Sequence, residues 1–290
     1  MRTEHYFESF DGTKIAYRLW GEDTGLTPLL CCSGIACNDV YWTYLAPELA
    51  AERLVVTWDY PYHGDSSAAL DADAIGIDSL ARHASAVLAE AGVKKAAITG
   101  HSMGVQVVLE MFRSNKEAAK ALIPIAGPYG QTVSGLYGTN AGVYLLSFLE
   151  RAARTQPDLT RRFWKVAANP ALADPFGRLT GLIGHAPAEL MRQYFDHVAQ
   201  IDPLPLFEMF RKGQEHSAEE ILEHIDVPVL ILHGTADVMS PFSLAEEMKR
   251  RIPGAELVAL ENGGHTLPIE DPETINGEIR RFLQTKVDPV

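Results

Sequence analysis

The sequence predicts an α/β protein, a mostly parallel sheet flanked by helices, and three observations carry the prediction. Short apolar runs without polar alternation recur at Pro28 to Gly34, Arg53 to Asp59, Ala96 to Gly100 and Val227 to Leu232, the pattern of strands covered on both faces. Stretches of helical period stand between them, as in Ile77, Leu80, Ala84, Val87, Leu88 and Ala91, closed by Gly92. One run stops at a G-x-S-x-G turn, Gly100-His101-Ser102-Met103-Gly104, and passes at once into Val107, Val108, Leu109, Met111 and Phe112. With 290 residues, 47% of them hydrophobic, the chain can bury a large core and has room for one α/β domain carrying an inserted subdomain.

The strand-turn-helix reading of that third stretch has chemical content. Gly100 and Gly104 lack the side chains that would collide around so tight a turn, which leaves the Ser102 hydroxyl raised above the sheet edge, a nucleophile elbow. Two partners follow in order. Val227 to Asp237 is a buried-strand run ending in a turn that carries an acid, and Glu256 to His265 is a strand ending in a glycine turn that presents a histidine. With these three motifs the chain resembles the α/β-hydrolase superfamily along nearly its whole length, and Ser, Asp, His is that superfamily's order. The resemblance implies an α/β-hydrolase fold with a mostly parallel eight-stranded sheet and a helical cap inserted after the sixth strand. The hydrolase core would be residues 1–127 and 227–290, and the cap residues 128–226.

The elements follow in order. His5 to Asp11 and Lys14 to Trp20 flank Asp11-Gly12-Thr13, a turn that suits a β-hairpin. Pro28 to Gly34 is a strand inside the sheet, and the next helix lies around Leu45 to Ala51. In relatives the intervening loop begins His-Gly-x, with the amide of x as half of an oxyanion hole. Here the letters are Ser33-Gly34-Ile35. Backbone amides suffice for that role, so the expected donors are Ile35 and Met103, with Ala36 or Cys37 as alternatives to Ile35. After Arg53 to Asp59 comes Tyr60-Pro61-Tyr62-His63-Gly64-Asp65-Ser66, similar to a turn of the family that shapes the floor of the site. The resemblance makes Asp59 and His63 structural, with a second base as the alternative role for His63.

Ala119 to Gly127 is the strand after the elbow helix, and about a hundred residues separate it from the next strand at Val227. So long a connection signals an insertion with its own structure, and the aromatics within it come in helical clusters. Most belong to its own core; Tyr144, Trp164 and Phe195 are the candidates for an apolar substrate wall. Beyond Asp237, Ser240 is expected to cap a helix from Ser243 to Ile252 with Pro241 at its first position. Ile275, Ile279, Phe282 and Leu283 mark the last helix.

A serine hydroxyl needs a base, and the base an orienting carboxylate. Of ten histidines, only His265 follows a terminal strand in a glycine turn; His101 and His233 are expected to point away from the serine by strand alternation. Asp237 is the expected acid and Glu261 the alternative. The expected activity is therefore a serine hydrolase cleaving small to medium apolar carboxylic esters through Ser102, His265 and Asp237, with no metal and no cofactor. The same triad would also serve C–C bond or lactone hydrolysis, perhydrolysis, acyl transfer, or a small-ligand receptor. Haloalkane dehalogenases and epoxide hydrolases carry Asp where this chain has Ser102. A net charge of −13 repels phosphate backbones and anionic lipid, so neither nucleic acid nor membrane is expected as a partner. Cys31, Cys32 and Cys37 read as reduced core thiols. With an N-terminus lacking a secretory pattern, they make a cytoplasmic location the expectation.

Overall fold

The computed structural model describes residues 1–130 and 141–288. Eight strands, β1 (Arg2–Glu8), β2 (Lys14–Trp20), β3 (Leu29–Cys32), β4 (Val55–Trp58), β5 (Ala96–His101), β6 (Ala119–Ile125), β7 (Leu230–Gly234) and β8 (Glu256–Leu260), form one sheet. Their order is β1-β2-β4-β3-β5-β6-β7-β8. The hairpin β1–β2 and the pair β2–β4 are antiparallel, and the remaining pairs are parallel. This is the predicted α/β-hydrolase fold.

Side chains explain why the central strands show no alternation. Leu29, Val55, Ala97 and Leu230 face one core with α1 (Leu45–Leu49) and α11 (Pro272–Phe282). Leu30, Val56, Ile98 and Ile231 face the other, with α2 (Ile77–Glu90), α3 (Met103–Ser114) and α9 (Phe242–Arg251). Both faces are covered, so polar side chains do not alternate with apolar ones, and the few present, such as Thr57 and Thr99, are themselves buried and hydrogen-bonded. The β1–β2 hairpin turns at Gly12, whose φ of +85° suits a residue without Cβ.

Between β6 and β7 lie α4 (Ala141–Thr155), α5 (Pro157–Ala167), α6 (Pro170–Leu179), α7 (Ala188–Val198) and α8 (Pro203–Glu215). Tyr137, one of the aromatics in the long connection between the strands at Ala119 and Val227, lies outside the described residues. A short α10 (Leu267–Glu270) precedes α11.

One expected cap is corrected. Helix α9 begins at Phe242 with Pro241 in the capping position, and Ser240 makes no side-chain cap. The Ser240 amide is instead engaged by Asp237 at 2.9 Å and its carbonyl by His233 at 2.8 Å. These bonds pull Ser240 into the turn after β7, away from the helix start.

Candidate active site

The elbow is built by close packing. A Cβ on Gly104 would stand 2.2 Å from the Cys32 carbonyl oxygen, and one on Gly100 2.3 Å from that of Gly104. Only glycine lets α3 start this close to β3. Ser102 itself is held at φ +56°, outside both strand and helix, a strained conformation characteristic of functional turns.

That geometry brings three predicted residues together. His265 Nε2 lies 2.9 Å from Ser102 Oγ, and His265 Nδ1 lies 2.9 Å from Asp237 Oδ2. Asp237 Oδ1 accepts from the amides of Met239 and Ser240, which fixes the carboxylate. A carboxylate only accepts, so Nδ1 carries the proton and Nε2 is free to accept from the serine hydroxyl. Burial pushes Asp237 upward, yet the His265 charge and hydrogen bond hold it below the ordinary carboxylate value. Burial pushes His265 downward, but the Asp237 charge and hydrogen bond, with the Glu270 charge, hold it above the ordinary imidazole value.

His101 does not point away from the serine, although strand alternation suggests that it should. Because Ser102 leaves the strand at positive φ, counting by twos from β5 fails at the elbow. The His101 ring lies 5.1 Å from that of His265, stacks on Tyr41 at 4.8 Å, and donates from Nε2 to the His265 carbonyl at 2.8 Å. His233 Nε2 sits 3.6 Å from Asp237 Oδ2, beneath the acid. Glu261, the alternative acid, is exposed at the end of β8.

Two further residues shape the site. Glu270 grips both sides of His265, accepting from the amide of Gly264 at 2.9 Å and of Thr266 at 2.8 Å, and from the Thr266 hydroxyl. Its signal in the sequence was an acid one turn into a helix after Thr266, a variant of the capping box. His63 is the other: its Nδ1 donates to the Pro61 carbonyl at 2.8 Å, so its Nε2 accepts from the Ala36 amide at 3.0 Å. Fully buried, it is kept neutral with its pKa lowered to about 4.

That bond bears on the loop after β3. Ala36 spends its N–H on His63, and Cys37 donates to the Gly34 carbonyl at 3.2 Å. The amides of Ile35 and Met103 donate to no acceptor among the described residues. Both residues border the space around Ser102, and Met103 is the first residue of α3, where the helix dipole favours negative charge.

A cavity of about 540 Å³ opens beside Ser102 and His265, walled by Tyr41, Phe176, Ile183, Tyr194 and Phe195. A second, of about 320 Å³ and almost wholly apolar, adjoins it across Ile35, Leu182 and Met239. Of the three expected wall residues, Phe195 lines the first cavity, whereas Trp164 and Tyr144 line neither. Trp164 donates to the Val198 carbonyl at 2.9 Å and packs edge-on against Phe207, tying α5 to α7 and α8. Tyr144 is exposed on the outer side of α4. Among the described residues no group of three or more His, Cys, Asp or Glu could hold a metal ion.

With this geometry in place, residues 27–272 match the model of the alpha/beta hydrolase fold family, and the chain belongs to that family. It is similar to the dihydrolipoyllysine-residue acetyltransferase component of an acetoin cleaving system from Pseudomonas putida, 31% identical over 92% of this chain and 66% of that protein. It is also similar to a pimeloyl-[acyl-carrier protein] methyl ester esterase from Neisseria meningitidis, 27% identical over 88% of this chain and 76% of the relative. Among solved structures, an esterase from Exiguobacterium antarcticum superposes with a TM-score of 0.79 at 20% identity, covering 96% of this chain and 98% of that one.

Proposed function

We propose that the protein is a serine hydrolase of small to medium apolar carboxylic esters, working through an acyl-enzyme. The observation that carries the reading is the continuous relay from Ser102 Oγ through His265 to Asp237, with both links at 2.9 Å. In the first half-reaction Ser102 Oγ attacks the ester carbonyl while His265 Nε2 takes its proton, and the carbonyl oxygen becomes an oxyanion facing the Ile35 and Met103 amides. Collapse expels the alkoxide, which leaves with the proton from His265. In the second, His265 takes a proton from water, the hydroxide attacks the acyl-enzyme, and Ser102 recovers its proton as the acid departs. Asp237 stays ionised throughout and stabilises the imidazolium.

The inserted helices α4 to α8 act as a cap in this reading, since residues of α6 and α7 wall the cavity on the serine. Its apolar lining favours hydrocarbon on both arms of the ester. Buried, unpaired Cys31, Cys32 and Cys37 suit a reducing cytoplasm. The esterase named among the relatives lends the ester class further support.

A fluorophosphonate probe and a series of nitrophenyl esters of increasing acyl length test the reading. Labelling and turnover are expected for the parent and neither for Ser102→Ala. Labelling that survives Ser102→Ala removes the nucleophile. Labelling without ester turnover, with rates on lactones, C–C bonds or hydrogen peroxide, moves the substrate class while keeping the site.

A further inference from the structure

The net charge of −13 is not spread evenly, and the departure coincides with an exposed apolar face. Nine of the fifteen large apolar side chains left exposed among the described residues lie on α4, α5 and α6, at 57% to 86% exposure. Eight of the nine fall in stripes: Tyr144 and Phe148 on α4, Leu159, Phe163 and Val166 on α5, Leu172, Phe176 and Leu179 on α6. Spacings of four and seven put each set on one side of its helix, and α5 packs against both α4 and α6. Apolar residues scattered singly over a surface need no cause, but a clustered face does.

Residues 141–179 hold six Lys or Arg against three Asp or Glu, a local charge of +3 that leaves −16 on the remainder of a chain of −13. Arg151, Arg162 and Lys165 are exposed and make no ion pair among the described residues. Arg151 continues the Tyr144–Phe148 line by one turn, and Arg162 flanks the Leu159–Phe163 stripe. The face is also the way in. Leu172 and Phe176 line the cavity on Ser102, and Leu145 of α4 lines the adjoining one.

We infer that the outer face of α4, α5 and α6 seats on an anionic lipid surface, with the cavity mouths turned toward it. Apolar side chains beside unpaired cations, on helices lying flat against the body, are the chemistry of interfacial binding. Each lysine or arginine near an anionic leaflet is worth about a fivefold gain in binding, and the cytoplasmic leaflet is the anionic one. The acidic remainder of the chain is repelled by the same field, so the attraction also sets orientation. A symmetric dimer through this face would set +3 against +3, which disfavours a second copy as the occupant. Among the described residues no helix is long and apolar enough to cross a membrane, so the contact is one of seating. An apolar ester dissolved in lipid would then reach Ser102 without crossing water, a consequence that rests on the esterase reading, whereas the docking does not.

Co-sedimentation of the full chain with phosphatidylcholine vesicles, with and without phosphatidylglycerol, tests this. Binding is expected only to the phosphatidylglycerol vesicles, weakening with added salt. Arg162→Gln should weaken it about fivefold, Phe163→Asp should abolish it, and both should keep parental turnover of a water-soluble short ester. Ser102→Ala should bind vesicles as the parent does, which separates docking from catalysis. Absent binding, or binding indifferent to Arg162→Gln and Phe163→Asp, overturns the inference. A dimer in sedimentation equilibrium that Phe163→Asp dissolves, without vesicle binding, assigns the face to a second copy instead.

Discussion

Glu270 stands second in line behind the proposed base, and its two oxygens decide where His265 sits. The carboxylate accepts from the amides of Gly264 and Thr266, one on each side of the histidine. It also joins Asp237 in raising the imidazole pKa against burial. His101 stands against His265 and His233 against Asp237, both as neutral rings, their own values lowered by burial. Since the base must be unprotonated, kcat/KM should rise with pH through a midpoint above the ordinary histidine value. In Glu270→Gln one raising charge is lost, so the midpoint should move to lower pH while the rate falls about 10 to 100 fold from misplacement of the ring. A rate loss without that displacement in a pH profile would reduce Glu270 to a brace. The loop after β3 gives a second expectation. With Ala36 committed to His63 and Cys37 to Gly34, Ile35 is the amide left to meet an oxyanion. Proline there removes the N–H, so Ile35→Pro should lose about 100 to 1,000 fold in turnover, and Ile35→Val should not. Initial rates with circular dichroism decide it, and a folded Ile35→Pro of near-normal turnover places the donor elsewhere.

Phe195 and Trp164 are both aromatics on inserted helices, but tertiary contacts give them different work. Phe195 walls the cavity on Ser102, whereas Trp164 is held by the Val198 carbonyl and Phe207. Phe195→Ala should therefore extend the preferred acyl length, each accommodated methylene being worth ~1 to 3 kcal/mol in kcat/KM. Trp164→Ala should instead lower the thermal midpoint with little change in preference, and a chain-length series on both variants checks the contrast. The same pair marks the limit of what the sequence discloses. The central strands were legible because burial on both faces removes the polar alternation of a half-exposed strand, and the elbow because Gly100 and Gly104 have no tolerable substitute. Ser102, Asp237 and His265 each end a strand in a turn, so their convergence followed from the order of the strands. Which side of an inserted helix turns inward is settled only by packing, so Tyr144 and Trp164 looked like wall residues. The elbow's positive φ hid the inward turn of His101, and Ser240 read as a helix cap until its amide and carbonyl were seen committed to Asp237 and His233.

Across the whole molecule three buried histidines and the half-buried His197 set a limit on acid tolerance. Burial lowers His63, His83 and His197 to about 4 and His101 to about 3, against ~6.5 in an unfolded chain. Each is neutral in the folded state, and unfolding between those values takes up a proton. Their contribution to stability is thus complete above the unfolded value and is lost as pH falls from there toward the folded ones. Asp59 works in the opposite sense. Burial, only partly offset by Arg18, raises it to about 6, so below that pH the folded state holds a proton that the unfolded chain releases until ~4. Four groups outweigh one, and the net expectation is a free energy of unfolding that drops steeply from about pH 6.5 to 4. Urea denaturation across that range measures it directly. His197 allows a cleaner check, because it borders a polar cleft away from Ser102 and its buried Nε2 has no hydrogen-bond partner. His197→Gln removes one titrating group, so the fall should become shallower by up to ~1.4 kcal/mol per pH unit, one proton's worth. A variant as acid-sensitive as the parent would show that His197 protonates freely in the folded chain, and a parent with level stability across the window would show the same of all four.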